Sequence, residues 1–440
     1  MKSRKFTVSV KEAFLLGGLI LSVFFLFLIF ILVEGAKPLG NAENIVAEKT
    51  IAPTEIMEEK ESIGPIVEDI QLSWTATPRP TVIFEGGDYP TEIPGSPVPS
   101  ATPGDISPLS LPLGINPLTG QMPNSPELLE RRPIASKIAI FPRSIRPVSG
   151  VSLADIVFEY YIEGGLTRFI AVFYGNDAAA VGPVRSGRFF DEHIVRMYQS
   201  YFVFKFADPR VWNYFQSTDI RSFLIVPGVT SCPPFFVGQY DRDTYNNVFF
   251  NTGKFAACLQ KKGMDNSAPN LKPGYFSMNV PEISETAMRI YARYSLDNYH
   301  FWAYDPSIEQ YYRSQEANNI RDDGNTPEYT LFDDALTGSA LSTDNLIYLF
   351  VPHTFESDEH ERAEIYHIDL IGEGDAVLFR NGIVISAYWR RAANDQPLLI
   401  TDRSRIPLPL KNGRTFYEVI GKSSAYTLQD SQAFFDFETP

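Results

Sequence analysis

Apolar positions change their spacing several times along the chain, and each spacing predicts a different element. Residues 13–33, AFLLGGLILSVFFLFLIFILV, form an unbroken uncharged run of 21. About 20 apolar helical residues span the ~30 Å hydrocarbon core of a bilayer, so the run predicts a single transmembrane helix. Lys2, Arg4, Lys5 and Lys11 precede it against Glu12, and Glu34, Glu43, Glu48 and Glu55 follow it. The positive-inside rule then keeps the basic tail, 1–12, in the cytoplasm and places residues 34–440 outside the cell membrane. The rival is a cleaved signal peptide, whose apolar region is usually shorter, about 7–15 residues; Val33 and Gly35 are small enough to precede a cleavage site.

From 34 to 112 no period is sustained. The stretch TATPRPTVIFEGGDYPTEIPGSPVPSATPGDISPLSLPLG is dense in Pro, Thr, Ser and Gly. Such a composition cannot bury a core and predicts a disordered linker, with an O-glycosylated stalk or a partner-binding segment as alternatives.

Beyond it strand and helix periods mix. RPIASKIAIF (132–141) and TRFIAVFYG (167–175) read as strands, and LADIVFEYYI (153–162) fits either helix or strand. In FFDEHIVRMYQS (189–200), Phe189, Ile194, Val195 and Tyr198 share one helical face, with Asp191 and Glu192 in the first turn. YFVFKFA (201–207) alternates, with Phe202, Phe204 and Phe206 facing one way. A last helix is expected around residue 282, in PEISETAMRIYARYS. After it come short strands, among them NLIYLFVPHTF, AEIYHIDLIG and DAVLFRNGIVISAYWRR, the last with an Asn381-Gly382 hairpin turn. The expected architecture is an α/β (α+β) first head domain, 113–297, around a central mixed sheet, then a mostly β domain, 298–425, and an acidic tail, 426–440.

These residues resemble one group, the YerB-like lipoprotein family of bacteria, a two-part extracytoplasmic module of undetermined activity. The resemblance rests on NPLTG (116–120), RRPIA (131–135), SGVSLADIVFEYYIEGGLTRFIAVF (149–173) and VGPVRSGR (181–188). In the second half it rests on YYRS (311–314), LTGSALSTDNLIYLFVPH (336–353), DLIGEGDAVLFRNG (369–382) and ISAYW (385–389). Two departures matter. The family's lipid-bearing cysteine has no counterpart near the N-terminus here, which leaves anchoring to the apolar run. The family's Arg-Asp…His-Asn-Leu-Tyr motif reads DRDTYNNVFFN (241–251), matching at Arg242, Asp243, Asn247 and Phe249 but lacking the histidine.

The net charge of −15 argues against a nucleic-acid partner and gives no basic face for anionic lipid. The only cysteines, Cys232 and Cys258, fall in the outside portion and form either a disulfide or two buried thiols. The most pointed local feature is AVGPVRSGRFFDEHI (180–194), where arginines flank a Ser-Gly pair as a turn hands over to a helix. With Ser186 or Gly187 as N-cap, free N–H groups, the helix dipole and the planar forks of Arg185 and Arg188 suit an anion. The alternative is an internal brace, the arginines pairing with Asp155, Glu159 or Glu163. Glu159 and Glu163, four apart and followed by Arg168, would share a helical face and divide acid and base roles, or bridge to Arg168.

His353, His360 and His367 recur every seven residues across a polar loop, a spacing that predicts no metal site. No hydrolase elbow, phosphate loop or dinucleotide fingerprint appears, and no cofactor is expected. Two functions follow. One is a membrane-anchored binding or scaffold module of the cell envelope, recognising an anionic wall polymer or an envelope protein. The other is an envelope hydrolase or transferase using Glu159, Glu163, His193 or Asp208.

Overall fold

The computed structural model describes residues 112–227, 234–237, 246–282, 285–320, 325–356 and 364–438. The basic tail, the expected membrane helix and the linker up to 111 lie outside these residues, as do Cys232, Arg242, Asp243 and His360. Among the described residues no helix is long and apolar enough to cross a membrane.

The first half supplies strands β1 (Ile134–Ala139), β2 (Ile156–Tyr161), β3 (Thr167–Phe173), β4 (Tyr201–Val203), β5 (Leu224–Ile225), β6 (Phe235–Val237) and β7 (Val248–Phe250). Its helices are α1 (Asp191–Tyr198), α2 (Pro209–Ser217) and α3 (Phe255–Lys262). The second half adds β8 (Arg289–Ser295), β9 (Asn298–Asp305), β10 (Gln310–Glu316), β11 (Tyr329–Leu331), β12 (Ser342–Thr343), β13 (Asn345–Val351) and β14 (His353–Phe355). It continues with β15 (Tyr366–Ile368), β16 (Gly372–Arg380), β17 (Ile383–Arg391) and β18 (Leu399–Thr401). Last come β19 (Thr415–Gly421), β20 (Ala425–Gln429) and β21 (Gln432–Asp436).

One ten-stranded mixed sheet runs β18-β17-β16-β13-β19-β2-β3-β1-β4-β5. Its middle joins the two halves of the sequence: β19 pairs parallel with β2 from Thr415↔Ile156 to Val419↔Tyr160. A second, seven-stranded sheet runs β11-β10-β9-β8-β21-β20, with β12 on β10. Strand alternation sorts side chains into two cores. Ile156, Phe158 and Tyr160 join Ile194 and Val195 of α1 and Phe215 of α2 on one face. Val157, Tyr161, Tyr348 and Phe350 meet Ile290, Trp302 and Phe435 of the second sheet on the other. The ten-stranded sheet is therefore the middle layer, with α1 and α2 on one face and the second sheet on the other, where α3 also packs against Ile134, Tyr201 and Val203.

LADIVFEYYI, left open between helix and strand by its sequence, is strand β2. Several other expectations need correction. The helix expected around residue 282 is β8, because RIYARYS finds hydrogen-bonding neighbours on both sides, β9 and β21, that a local reading cannot see. The 298 boundary falls in the β8–β9 turn, where Ser295 pairs with Asn298. The acidic tail folds as the β20–β21 hairpin, whose Phe435 stacks on Tyr348 with ring centroids 3.7 Å apart. The strand at 201 ends at Val203; Phe202 and Phe204 stack in the core, while Phe206 turns outward.

Candidate functional site: a cationic turn between β1, β3 and α1

The turn carrying Arg185, Ser186 and Arg188 is held on both sides by backbone. Arg185 N donates to the Lys137 carbonyl on β1 at 3.0 Å, and the Arg185 carbonyl accepts from Lys205 N at 3.0 Å. Gly187 N donates to the Phe206 carbonyl at 3.0 Å. Position 187 is tight, since a Cβ there would lie 3.1–3.3 Å from the rings of Phe215, Phe204 and Phe202 and would push them by a few tenths of an ångström.

The helix starts later than the N-cap reading required. Phe190 precedes its first turn, and Asp191 Oδ2 accepts from Arg188 N at 2.7 Å. Ser186 and Gly187 thus stand outside the helix. The sequence pattern could not show this, because Asp191 serves the turn behind it as well as the helix ahead.

Both arginine forks aim at one carboxylate. Arg188 donates from Nε to Glu163 Oε2 at 2.9 Å and from Nη2 to Oε1 at 2.5 Å, with a further contact from Nη2 to Oε2. Arg168 Nη2 lies 3.6 Å from Glu163 Oε1, and its Nη1 donates to the Ser186 carbonyl at 3.0 Å. Glu163 itself follows β2 on a turn fixed from the second half: Glu364 accepts from Gly164 N at 2.7 Å and from the Tyr161 hydroxyl at 2.8 Å. Burial alone would raise the Glu163 pKa, but Arg188 and then Arg168 pull it below the usual carboxylate range.

Behind the fork lies a buried network. The Lys137 ammonium donates to the Tyr160 hydroxyl and lies 3.1 Å from Asp191 Oδ1, and Tyr160 donates to the same oxygen at 2.5 Å. Burial depresses the Lys137 pKa to about 7, with Asp191 opposing and Arg168 and Arg188 reinforcing the fall. Burial and then the neighbouring Arg188 bring Arg168 down to about 9, so it remains charged at neutral pH. Lys205 and Arg210 stand on the segment that runs beside the turn. The cations Lys137, Arg168, Arg185, Arg188, Lys205 and Arg210 stand in or beside this turn; Arg168 and Arg188 pair with Glu163, Lys137 with Asp191 and Arg210 with Asp208. Sequence reading missed Lys137, although a lone lysine in the apolar strand IASKIAI was a signal that a buried partner had to exist.

Glu159 belongs elsewhere. Because β2 is a strand and not a helix, Glu159 points to the opposite face from Tyr160 and away from Glu163. There Arg313 Nη1 lies 2.7 Å from Glu159 Oε2 and 3.1 Å from Glu418 Oε1. Trp302 Nε1 donates to Glu418 at 3.1 Å, and Thr167 donates to Glu159 at 2.5 Å. Glu159, Glu418 and His300 bring ligand-type atoms within 4.8 Å of one another. Arg313 already supplies a cation between the two carboxylates, so a divalent ion added beside it would leave an excess of positive charge. Burial raises both glutamates' pKa values. The set reads as an internal charge cluster fastening the two sheets.

The other acid–base candidates do not converge. His193 is buried; its Nδ1 accepts from Arg391 Nη1 at 2.9 Å and its Nε2 meets the Ile368 carbonyl at 3.1 Å. Burial and then Arg391 lower its pKa to about 3, which removes it as a base at neutral pH. Asp208 caps α2 by accepting from Arg210 N at 2.9 Å. Asp155 serves Tyr174 N and Gly175 N at 2.6 and 2.8 Å, not the turn. His353 is buried against the Val351 carbonyl, while His367 pairs with Glu356 and stacks on Phe189. Cys258 is disulfide-bonded.

Comparison with known proteins agrees with this layout. Residues 118–265 match the family described as protein of unknown function (DUF3048), N-terminal domain, and residues 290–417 match its C-terminal domain. The chain is 26% identical over 315 residues to "Putative lipoprotein YerB" of Bacillus subtilis (strain 168), covering 70% of this chain and 86% of that protein. The crystal structure of YerB protein from Bacillus subtilis superposes with a TM-score of 0.57 at 24% identity, over 70% of this chain and 96% of that one.

Proposed function

For a chain that belongs to the YerB-like, DUF3048 family, we propose the role of a membrane-associated, extracytoplasmic binding module that takes an anionic envelope component at the cationic turn. The description of the Bacillus relative as a lipoprotein supports the placement at the membrane surface. In this reading the apolar run 13–33 does the anchoring that a lipid-bearing cysteine would otherwise do.

The observation that carries the reading is the Glu163 carboxylate in the Arg188 fork, with Arg168 beside it. The turn has the geometry of a carboxylate or phosphate receptor and an internal carboxylate already in it. Two guanidinium groups, Arg168 and Arg188, converge on that one carboxylate in a chain whose net charge is −15. An external anion would meet Arg185 first, since it is less buried than Arg168 and Arg188.

Sedimentation of the full chain, in detergent, with purified cell wall tests this. Binding should fall steeply with added salt, and Arg185→Ala should weaken it. Salt-independent binding, or equal binding by Arg185→Ala, would remove the ionic reading.

A further inference from the structure

We propose that Phe206 is a stacking platform for a sugar ring, so that the anion received by the cationic turn belongs to an acidic glycan. The inference rests on the anion-binding reading above and deepens it to a ligand class. Phe202 and Phe204 alternate into the core and stack with centroids 4.5 Å apart. A continued strand would have added Phe206 to that stack. Instead its backbone adopts φ 64°, a left-handed conformation that bulky side chains rarely hold, and 60% of the residue is exposed.

That conformation is enforced from the cationic turn itself. The Phe206 carbonyl is held by Gly187 N, and Lys205 N by the Arg185 carbonyl, so the ring is presented beside the residues proposed to hold the anion. Lys205 Nζ lies 5.3 Å from the ring centroid. An exposed aromatic face carries negative charge density at its centre and attracts the polarised C–H groups of a pyranose. A carboxylate or phosphate on the same or the next residue of the glycan would then reach the arginines. A ring beside cations thus matches a ligand with one apolar sugar face and one anionic group.

The test is titration calorimetry on the full chain in detergent, with tetragalacturonate, neutral chitotetraose and inorganic pyrophosphate as probes. Phe206→Gly removes the ring at a position whose φ glycine accepts freely, and Phe206→Tyr keeps a ring. The expected result is that Phe206→Gly binds tetragalacturonate about tenfold more weakly with pyrophosphate affinity unchanged, an amount typical of one aromatic contact. Phe206→Tyr should bind like the parent, and Phe206→Gly should melt no lower. Equal tetragalacturonate binding by parent and Phe206→Gly overturns the stacking role while leaving the anion site standing. Equal losses for tetragalacturonate and pyrophosphate overturn it as well, since the effect then runs through the turn's fold. Chitotetraose binding as tightly as tetragalacturonate overturns the acidic part of the ligand class, and failure of both anions to bind the parent overturns the anion reading itself.

Discussion

Glu163 and the two arginines around it carry both candidate roles of the turn at once. Arg168 and Arg188 are nearly buried and pair inside the protein, as a brace would. Glu163 is the exposed member, with 36% of its side chain accessible. Arg188→Ala leaves that carboxylate without its fork and Asp191 beside an altered turn. It should lower unfolding free energy by about 3 kcal/mol, the upper range for a charged hydrogen-bonded pair, as read by urea titration. The histidines give a pH prediction. His193 and His353 have native pKa values lowered to about 3 and about 4, chiefly by burial. The unfolded chain takes up those protons below about 6.5, so stability falls as pH drops from there toward 4, by up to about 1.4 kcal/mol per pH unit for each histidine. Urea titrations at pH 7 and 5 should show the loss, and His353→Asn should make the slope shallower; an unchanged slope would contradict the assignment.

A hairpin set by its own turn was legible, whereas the last predicted helix and the acidic tail were misread because their partners are distant. The Asn381-Gly382 turn predicted a tight hairpin, and both residues take positive φ, 51° and 75°, between paired Arg380 and Ile383. By contrast, RIYARYS becomes β8 only because β21 arrives from the chain's other end. The same long-range pairing hid the β20–β21 hairpin inside what reads as an acidic tail. Phe435 is 1% exposed and stacks on both Tyr348 and Tyr426. Phe435→Ala should therefore lose about 3–5 kcal/mol in equilibrium unfolding, a core-cavity effect and not a tail effect. A loss below about 1 kcal/mol would mean the hairpin contributes little to the second core.

At the scale of the whole molecule, the two sequence halves share a sheet. β2 of the first half has β3 on one side and β19 of the second on the other. Residues 113–297 expressed without the rest would expose that edge and the apolar face that meets the second sheet. That fragment should show no cooperative thermal transition, whereas the full chain should melt in one; a sharp transition in the fragment would contradict the shared-sheet account. The site was legible only in part for the same reason. The sequence pointed to Arg185, Ser186 and Arg188 and to a partner among nearby acids. Which acid, and that Lys137, Tyr160 and Asp191 lie behind it, depended on three strands and a helix meeting. Glu159 was misplaced because strand and helix readings put it on different faces. The central claim, an anion receptor with Glu163 as its internal occupant, is tested most directly by competition. The measurement is the affinity of the full chain for inorganic pyrophosphate at low salt, in the parent and in Glu163→Gln. Removing the internal charge should raise affinity, by about tenfold for one competing ion pair. Unchanged or weaker binding in Glu163→Gln, with the fold intact by melting, would contradict the account and leave the arginines as braces alone.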